Sequence, residues 1–230
     1  MGLLGSGAMV IWYDHADKAA HDEWHSHQHL MERVGIPGFL RGRRGAAVSG
    51  NPMYFVLYEV QDLTVLTSQA YLERLNNPTA WTQKVMPSFR NMNRTFCRVT
   101  GSFGTGIGAQ ILTIRLSPAP DHADLLRHWL VSTALPDLVQ QPGIVTACLL
   151  EGDTTSSRVE TAEIRLRQRA DEVVDWVVLV DGYELEAVRS ASAGLLSPAS
   201  LMEHGASDNP FSDLYHLGHI VIDGEITAAV

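Results

Sequence analysis

His21-Asp22-Glu23-Trp24-His25-Ser26-His27-Gln28-His29-Leu30-Met31-Glu32 places four of the chain's ten histidines within nine residues. On a helix, His21, His25 and His29 recur every four residues and share one stripe, which Glu32 continues a turn later. His27 points elsewhere. Val34-Gly35-Ile36-Pro37-Gly38-Phe39 follows. Its glycines and proline end the helix, and Phe39 opens a strand.

Working outward, 8–14 reads as a first strand, 16–34 as the helix, 39–48 as a second strand and 53–60 as a third. The Asn51-Pro52 turn makes the last two a hairpin. A second helix fits 63–75, broken by Asn76-Asn77-Pro78, with a short helix over 79–85. A fourth strand covers 94–103. The glycine-rich 104–109 has the composition of a linker. Beyond it, strand 111–116, helix 121–140, strand 143–151, a polar stretch 154–171, strand 176–180, helix 184–196 and strand 215–222 repeat the order. Each half is βαββαβ, the ferredoxin-like pattern of an α+β fold. The expected repeats span 8–103 and 110–224.

The halves align without gaps around the first helix, at a constant offset of 105 positions. Trp24 and Trp129 each precede a Pro-Gly pair by thirteen residues, Pro37-Gly38 and Pro142-Gly143. Leu30 matches Leu135, Glu32 matches Asp137 and Val34 matches Val139. The 54–60 strand matches 176–181. Such self-similarity marks a duplication. His25, His27 and His29 correspond to Leu130, Ser132 and Ala134. Packing alone does not call for three histidines in one copy and none in the other. The expected site is therefore in the first half, with the second completing its shell.

Composition narrows the function. The chain has 230 residues, 45% hydrophobic and 19% charged, enough for a sizeable core. A net charge of −9 with no concentrated basic face argues against a nucleic-acid partner. Arg41, Arg43 and Arg44 form the densest basic run, expected on an exposed strand or loop, or as an anion-steering rim. Cys97 and Cys148 lie in strand-like runs of different halves and read as small core residues of a reducing compartment. No apolar run approaches the roughly 18–20 residues of a membrane helix, and no signal peptide is evident. Met1-Gly2-Leu3-Leu4-Gly5-Ser6 fits the loose myristoylation pattern. A cytoplasmic location and no membrane partner are the expectation. There is no nucleophile elbow, P-loop or dinucleotide fingerprint.

Glu23-Trp24-His25-Ser26-His27-Gln28-His29-Leu30-Met31-Glu32-Arg33-Val34, followed by Ile36-Pro37-Gly38-Phe39, resembles the first helix of the dimeric α+β barrel superfamily. Members carry a W-[YH]-x-x-x-H-[ILMV]-x-E-like helix before a P-G-[FI] strand start. They include EthD-like proteins, muconolactone isomerase-like enzymes, small antibiotic-biosynthesis monooxygenases and polyketide cyclases. The resemblance implies two ferredoxin-like sheets packed face to face into a barrel. A tandem chain builds that barrel within one molecule and leaves room for a homodimer of such chains. It also implies a position at the pocket mouth for His29.

An imidazole near neutral pKa serves as a general acid or base. The expected function is cofactor-independent acid–base chemistry, as an isomerase, lyase or cyclase, on a small, mostly apolar or aromatic molecule. His29 shuttles the proton, and His25 and Glu32 assist, the carboxylate raising the imidazole pKa. His21, nearer the helix start, is expected to be exposed. His27, Trp12, Tyr54, Tyr58, Trp81 and Phe89 are the expected substrate contacts. Two other classes stay open. One is a non-catalytic small-molecule binder. The other is an oxygenase with haem, or with a divalent metal on His25 and His29 and a third ligand from Glu32 or His21.

Overall fold

A computed structural model describes residues 2–48, 52–158, 160–207 and 210–226. Met1 of the myristoylation pattern and Asn51 of the predicted turn lie outside these. Eight strands form a closed barrel: β1 (Gly7–His15), β2 (Phe39–Ala47), β3 (Tyr54–Val60), β4 (Phe89–Gly104), β5 (Gln110–Leu116), β6 (Ile144–Asp153), β7 (Trp176–Gly182) and β8 (Phe211–Ile222). Their order around the barrel is β1-β3-β2-β8-β5-β7-β6-β4, and every pairing is antiparallel. Each half contributes one ferredoxin-like sheet, β4-β1-β3-β2 and β8-β5-β7-β6. The two sheets join at two seams, β2 with β8 and β4 with β6.

Because side chains alternate along a strand, each sheet has an inner and an outer face. The inner faces fill the barrel with Val10, Trp12, Phe55, Leu57, Cys97, Ile111, Cys148, Leu179 and Tyr215, among others. Both cysteines are free and buried, and burial pushes both thiols well up, which keeps them unreactive. The outer faces carry the helices. The first half packs Met9, Tyr13, Tyr54, Val56 and Tyr58 under its helices, and the second packs Leu112, Ile114, Val178 and Val180.

The basic run is not exposed. Arg41 and Arg43 are buried at one end of the barrel, 8% and 1% accessible. Arg41 grips Glu59 through two bonds of 2.8 Å, and Arg43 reaches Asp181 at 2.8 Å. Glu59 and Asp181 occupy matching places on β3 and β7. The N-terminal residues close the same end. Leu3 is buried, Leu4 N–H donates to Glu59, and the Gly2 carbonyl accepts from Arg41. A Cβ on Gly2 would lie 2.8 Å from Thr146, so this glycine is packed rather than presented for acylation.

The first helix is not a continuous α-helix. Asp17 caps it by accepting from Ala20 N–H, Lys18–Trp24 is α, His25–His29 is a π turn, and Leu30–Val34 is α again. The counterpart runs Ala123–Trp129, then a π turn over Leu130–Ala134, then Leu135–Leu138. The π turns obey the 105-residue offset, so they belong to the fold and not to the histidines. The predicted helix at 63–75 divides into a 3-10 turn, Leu63–Thr67, and a helix, Gln69–Asn76. The polar stretch 154–171 contains a short helix, Ala162–Arg167, capped by Thr161.

The Pro-Gly pairs turn the chain from both first helices into the following strands in the same way. Gly38 has φ 91° and Gly143 φ 92°, a region costly for side-chain-bearing residues. A Cβ at Gly143 would also stand 2.5 Å from Ala187 Cβ. Gly143→Ala is expected to lower the unfolding free energy by about 1–3 kcal/mol, read as a lower urea midpoint at constant slope. An unchanged midpoint would show that the turn does not need glycine.

Candidate functional site

The site lies between the first helix and the outer face of β3, β1 and β4. Register sets its floor: Met9 pairs with Tyr58, Ile11 with Val56 and Tyr13 with Tyr54, while Arg94 of β4 lies beside Ile11. Over this floor four imidazoles form a ladder. Ring centroids are 5.1 Å apart for His15 and His21, 5.3 Å for His21 and His25, and 5.5 Å for His25 and His29. The π turn places His29 over Trp24, five residues back, at 4.1 Å. Such turns recur at functional sites because they re-aim side chains.

His21 is fully buried, contrary to expectation, because both its nitrogens find partners. Its Nδ1 is 3.0 Å from Asp22 Oδ1 and its Nε2 is 2.8 Å from Tyr13 Oη. An ionised carboxylate only accepts, so Nδ1–H donates to Asp22 and Nε2 accepts the Tyr13 hydroxyl. Burial lowers the His21 pKa to about 3 and keeps the ring neutral. Burial would raise the Asp22 carboxyl, but hydrogen bonds from Lys18, Tyr54 and His21 outweigh it and hold it at about 2. Tyr54 donates to Asp22 at 2.6 Å and packs its ring, tilted by 33°, against His21 at 4.1 Å. Tyr13, His21 and Asp22 thus form a continuous hydrogen-bonded chain from the cavity to a partly exposed carboxylate.

The cavity has about 40 Å³ of free space. Tyr13, Trp24, His25, His29 and Phe89 line one end, and Arg33, Tyr58, Tyr71, Arg94 and Arg167 the other; Met86 and Met92 also contribute. The nearest charges are paired. Arg33 bonds Glu163, and Asp171 accepts from both Arg94 at 3.0 Å and Arg167 at 2.7 Å. Yet six buried polar atoms around this small space lack a hydrogen-bond partner: His25 Nδ1, His29 Nδ1, Arg33 Nη1, Tyr58 Oη, Arg94 Nη2 and Arg167 Nε. Buried polar groups are normally satisfied, so such a concentration marks a place where something polar belongs. Burial holds His25 and His29 well below the usual imidazole pKa. Neighbouring guanidinium groups add to this, Arg44 for His25 and Arg33 for His29. Both rings are neutral.

The structure gathers His25, His29, Tyr58 and Phe89 at the cavity and places Tyr54 behind it, holding Asp22. It does not gather the rest. His27 is exposed and pairs with Glu23. Glu32 faces Arg74 at 3.6 Å, so it does not raise the His29 pKa, which burial lowers. Trp12 points into the barrel and donates to Thr113. Trp81 is 37% exposed and does not line the cavity. Sequence reasoning missed Tyr13, Tyr71, Arg94, Glu163 and Arg167, and it passed over Arg33. The signal for Arg33 was present, since it stands four residues beyond His29 on the histidine stripe. Its stripe, His21, His25, His29 and Arg33, corresponds to Leu126, Leu130, Ala134 and Leu138 in the second half, all fully buried.

These residues do not fit the expected metal set. Glu32 is turned away and His21 has both nitrogens engaged, leaving His25 and His29 without a third donor. Among the described residues no three His, Cys, Asp or Glu side chains converge as ligands. The free space of about 40 Å³ is smaller than a porphyrin, as it is smaller than a drug-sized ligand.

No family description matches the chain and no curated protein sequence is similar to it. Solved structures are similar in fold. An anthrone oxidase-like protein superposes with a TM-score of 0.64 at 11% identity, covering 97% of this chain and 95% of that one. A protein described as a putative monooxygenase from Lactobacillus acidophilus gives 0.61 at 7% identity, covering 95% and 97%. Another so described, from Fusobacterium nucleatum, gives 0.60 at 7%, covering 96% of each. What they share with this chain is the fold, an α+β barrel of two ferredoxin-like sheets. Here both sheets come from one chain. No described helix is long and apolar enough to cross a membrane.

The neutral histidines make stability depend on pH. Unfolded imidazoles take up a proton near pH 6.5, while His21, His25 and His29 resist it when folded. Unfolding therefore binds protons below that pH. Their contribution is complete above about pH 6.5 and declines as pH falls toward the folded values, by up to about 1.4 kcal/mol per pH unit per histidine. The urea midpoint is expected to drop from pH 7 to pH 5. Replacing the three with Leu, Leu and Ala, as in the second half, flattens that profile, and an equally steep profile in the triple variant would contradict it.

Proposed function

We propose that the cavity is the active site of a cofactor-independent enzyme that moves a proton on a small, largely apolar or aromatic organic molecule. The net change is an isomerisation, elimination or cyclisation. One observation carries this reading: two buried neutral imidazoles, each with an unpartnered Nδ1, line a cavity at positions where the duplicate half has Leu130 and Ala134.

The chemistry follows from the surroundings. In its Nε2–H tautomer, His29 takes a proton at Nδ1 from an acidic carbon of the substrate. Burial and the nearby Arg33 disfavour the imidazolium in the resting protein. Negative charge developing on the substrate offsets that penalty, so the proton transfer is favoured as the transition state forms. Tyr58 Oη and Arg33 Nη1 are the donors free to hold the developing oxyanion. His29 then returns the proton to a second carbon or to a leaving group, with His25 beside it. The Tyr13–His21–Asp22 chain links this end of the cavity to solvent for any proton exchanged. Free space of about 40 Å³ is below that of a pocket that buries a drug-sized ligand. Substrate entry therefore displaces flexible Met86 and Met92 or lifts the Ala162–Arg167 helix.

The test is hydrogen–deuterium exchange in heavy water, followed by proton NMR over a panel of cyclic ketones and enol lactones. The protein is expected to exchange the acidic C–H of a panel member. His29→Gln is expected to lose that exchange by about 10²–10⁴-fold with unchanged circular dichroism. Full exchange by His29→Gln overturns the assignment. A ligand retained without exchange favours the binding-protein reading, to which the same unpartnered polar atoms lend themselves.

A further inference from the structure

Three guanidinium groups line the cavity, Arg33, Arg94 and Arg167, at 2%, 6% and 8% exposure. Two carboxylates answer them. Glu163 is committed to Arg33, while Asp171 is shared between Arg94 and Arg167. With neutral histidines the cluster keeps one positive charge that no side chain of the group balances. Each of the three arginines also has a buried nitrogen without a partner. Guanidinium groups stay charged in any protein environment, so this imbalance cannot be relieved by losing a proton. A buried unbalanced charge is costly unless something completes it.

The chain builds this cradle from both halves. Arg33 comes from the first helix and Arg94 from β4. Glu163, Arg167 and Asp171 come from the 154–171 stretch of the second half. Trp24, Val56, Phe89 and the two methionines make the rest of the lining apolar, with Met86 Sδ 3.8 Å from Arg167 Nη1. From this arrangement we infer that the cavity takes a largely apolar molecule bearing one anionic oxygen group, a carboxylate or a phenolate, seated on Arg33, Arg94 and Arg167. This inference rests on the cavity being the substrate site and adds the substrate's charge. An anion there stands beside His29, whose protonation the arginines otherwise oppose. Guanidinium forks suit such a group because they offer two N–H donors in one plane.

Isothermal titration calorimetry with benzoate and with benzamide, its neutral isostere, tests the inference. The protein is expected to bind benzoate at least tenfold more tightly than benzamide. Arg167→Met removes the surplus charge and is expected to bring the two within twofold, while Arg167→Lys keeps a preference for benzoate. Circular dichroism verifies that both variants fold. Equal affinities in the unaltered protein, a preference undiminished in Arg167→Met, or binding of neither probe would overturn the inference. Exchange that depends on His29 without a benzoate preference sinks the anion cradle alone. A benzoate preference with exchange intact in His29→Gln sinks the proton chemistry alone.

Discussion

A four-stranded ferredoxin-like sheet ends in two strands whose outer edges have unpaired N–H and C=O groups, and everything else in this protein follows from where those edges go. Here β2 takes β8 and β4 takes β6, so the two sheets satisfy each other and no edge is left open. Closure fixes the inner faces as a dry, aromatic and aliphatic filling. It forces all helices outside. It also brings the 154–171 stretch, which belongs to the second sheet, alongside β4 of the first, where Glu172 forms a bridge with Asn93. The cavity exists because that stretch roofs a gap between the first helix and its own sheet.

The two halves show how one scaffold answers the same geometry with opposite chemistry. Both first helices contain a π turn, and both lead into the next strand through a left-handed glycine. Under one, Leu126, Leu130, Ala134 and Leu138 make an apolar seam. Under the other, the same four places hold three imidazoles and a guanidinium. The polar version needs much more support: Tyr13, Asp22 and Tyr54 for His21, Glu163 for Arg33, and Asp171 for the arginines around it. Packing alone does not account for residues that demand such support, since the duplicate half fills the same places with leucine and alanine.

Much of the fold was legible because it is written in short-range terms. The alternation of strands and helices, the tryptophans at a fixed distance from Pro-Gly, and the 105-residue offset require no knowledge of distant contacts. The π turns were not legible, since the spacing of His25 and His29 reads equally as α-helix. Burial of Arg41 and Arg43 was hidden because Glu59 and Asp181 are 18 and 138 residues away in sequence. The same holds for Arg33, whose partner Glu163 is 130 residues distant. Of the site, the histidine stripe was visible, while its polar far end was not. That end is assembled by barrel closure rather than by local pattern. Glu32 misled because helical spacing alone does not say which side of a helix faces its sheet.

Fusing the two sheets into one polypeptide also changes what selection can do with them. In an assembly of identical subunits, every substitution appears twice, and a histidine gained in one copy of the helix is gained in the other. A tandem chain is free of that symmetry. One helix can be optimised for cohesion while its twin becomes a reaction chamber, so stability and chemistry are inherited on separate stretches of the same gene. On the function proposed above, the divergence of the repeats, rather than the geometry of the barrel, is what places the histidine-lined cavity in one half of the chain and not in the other.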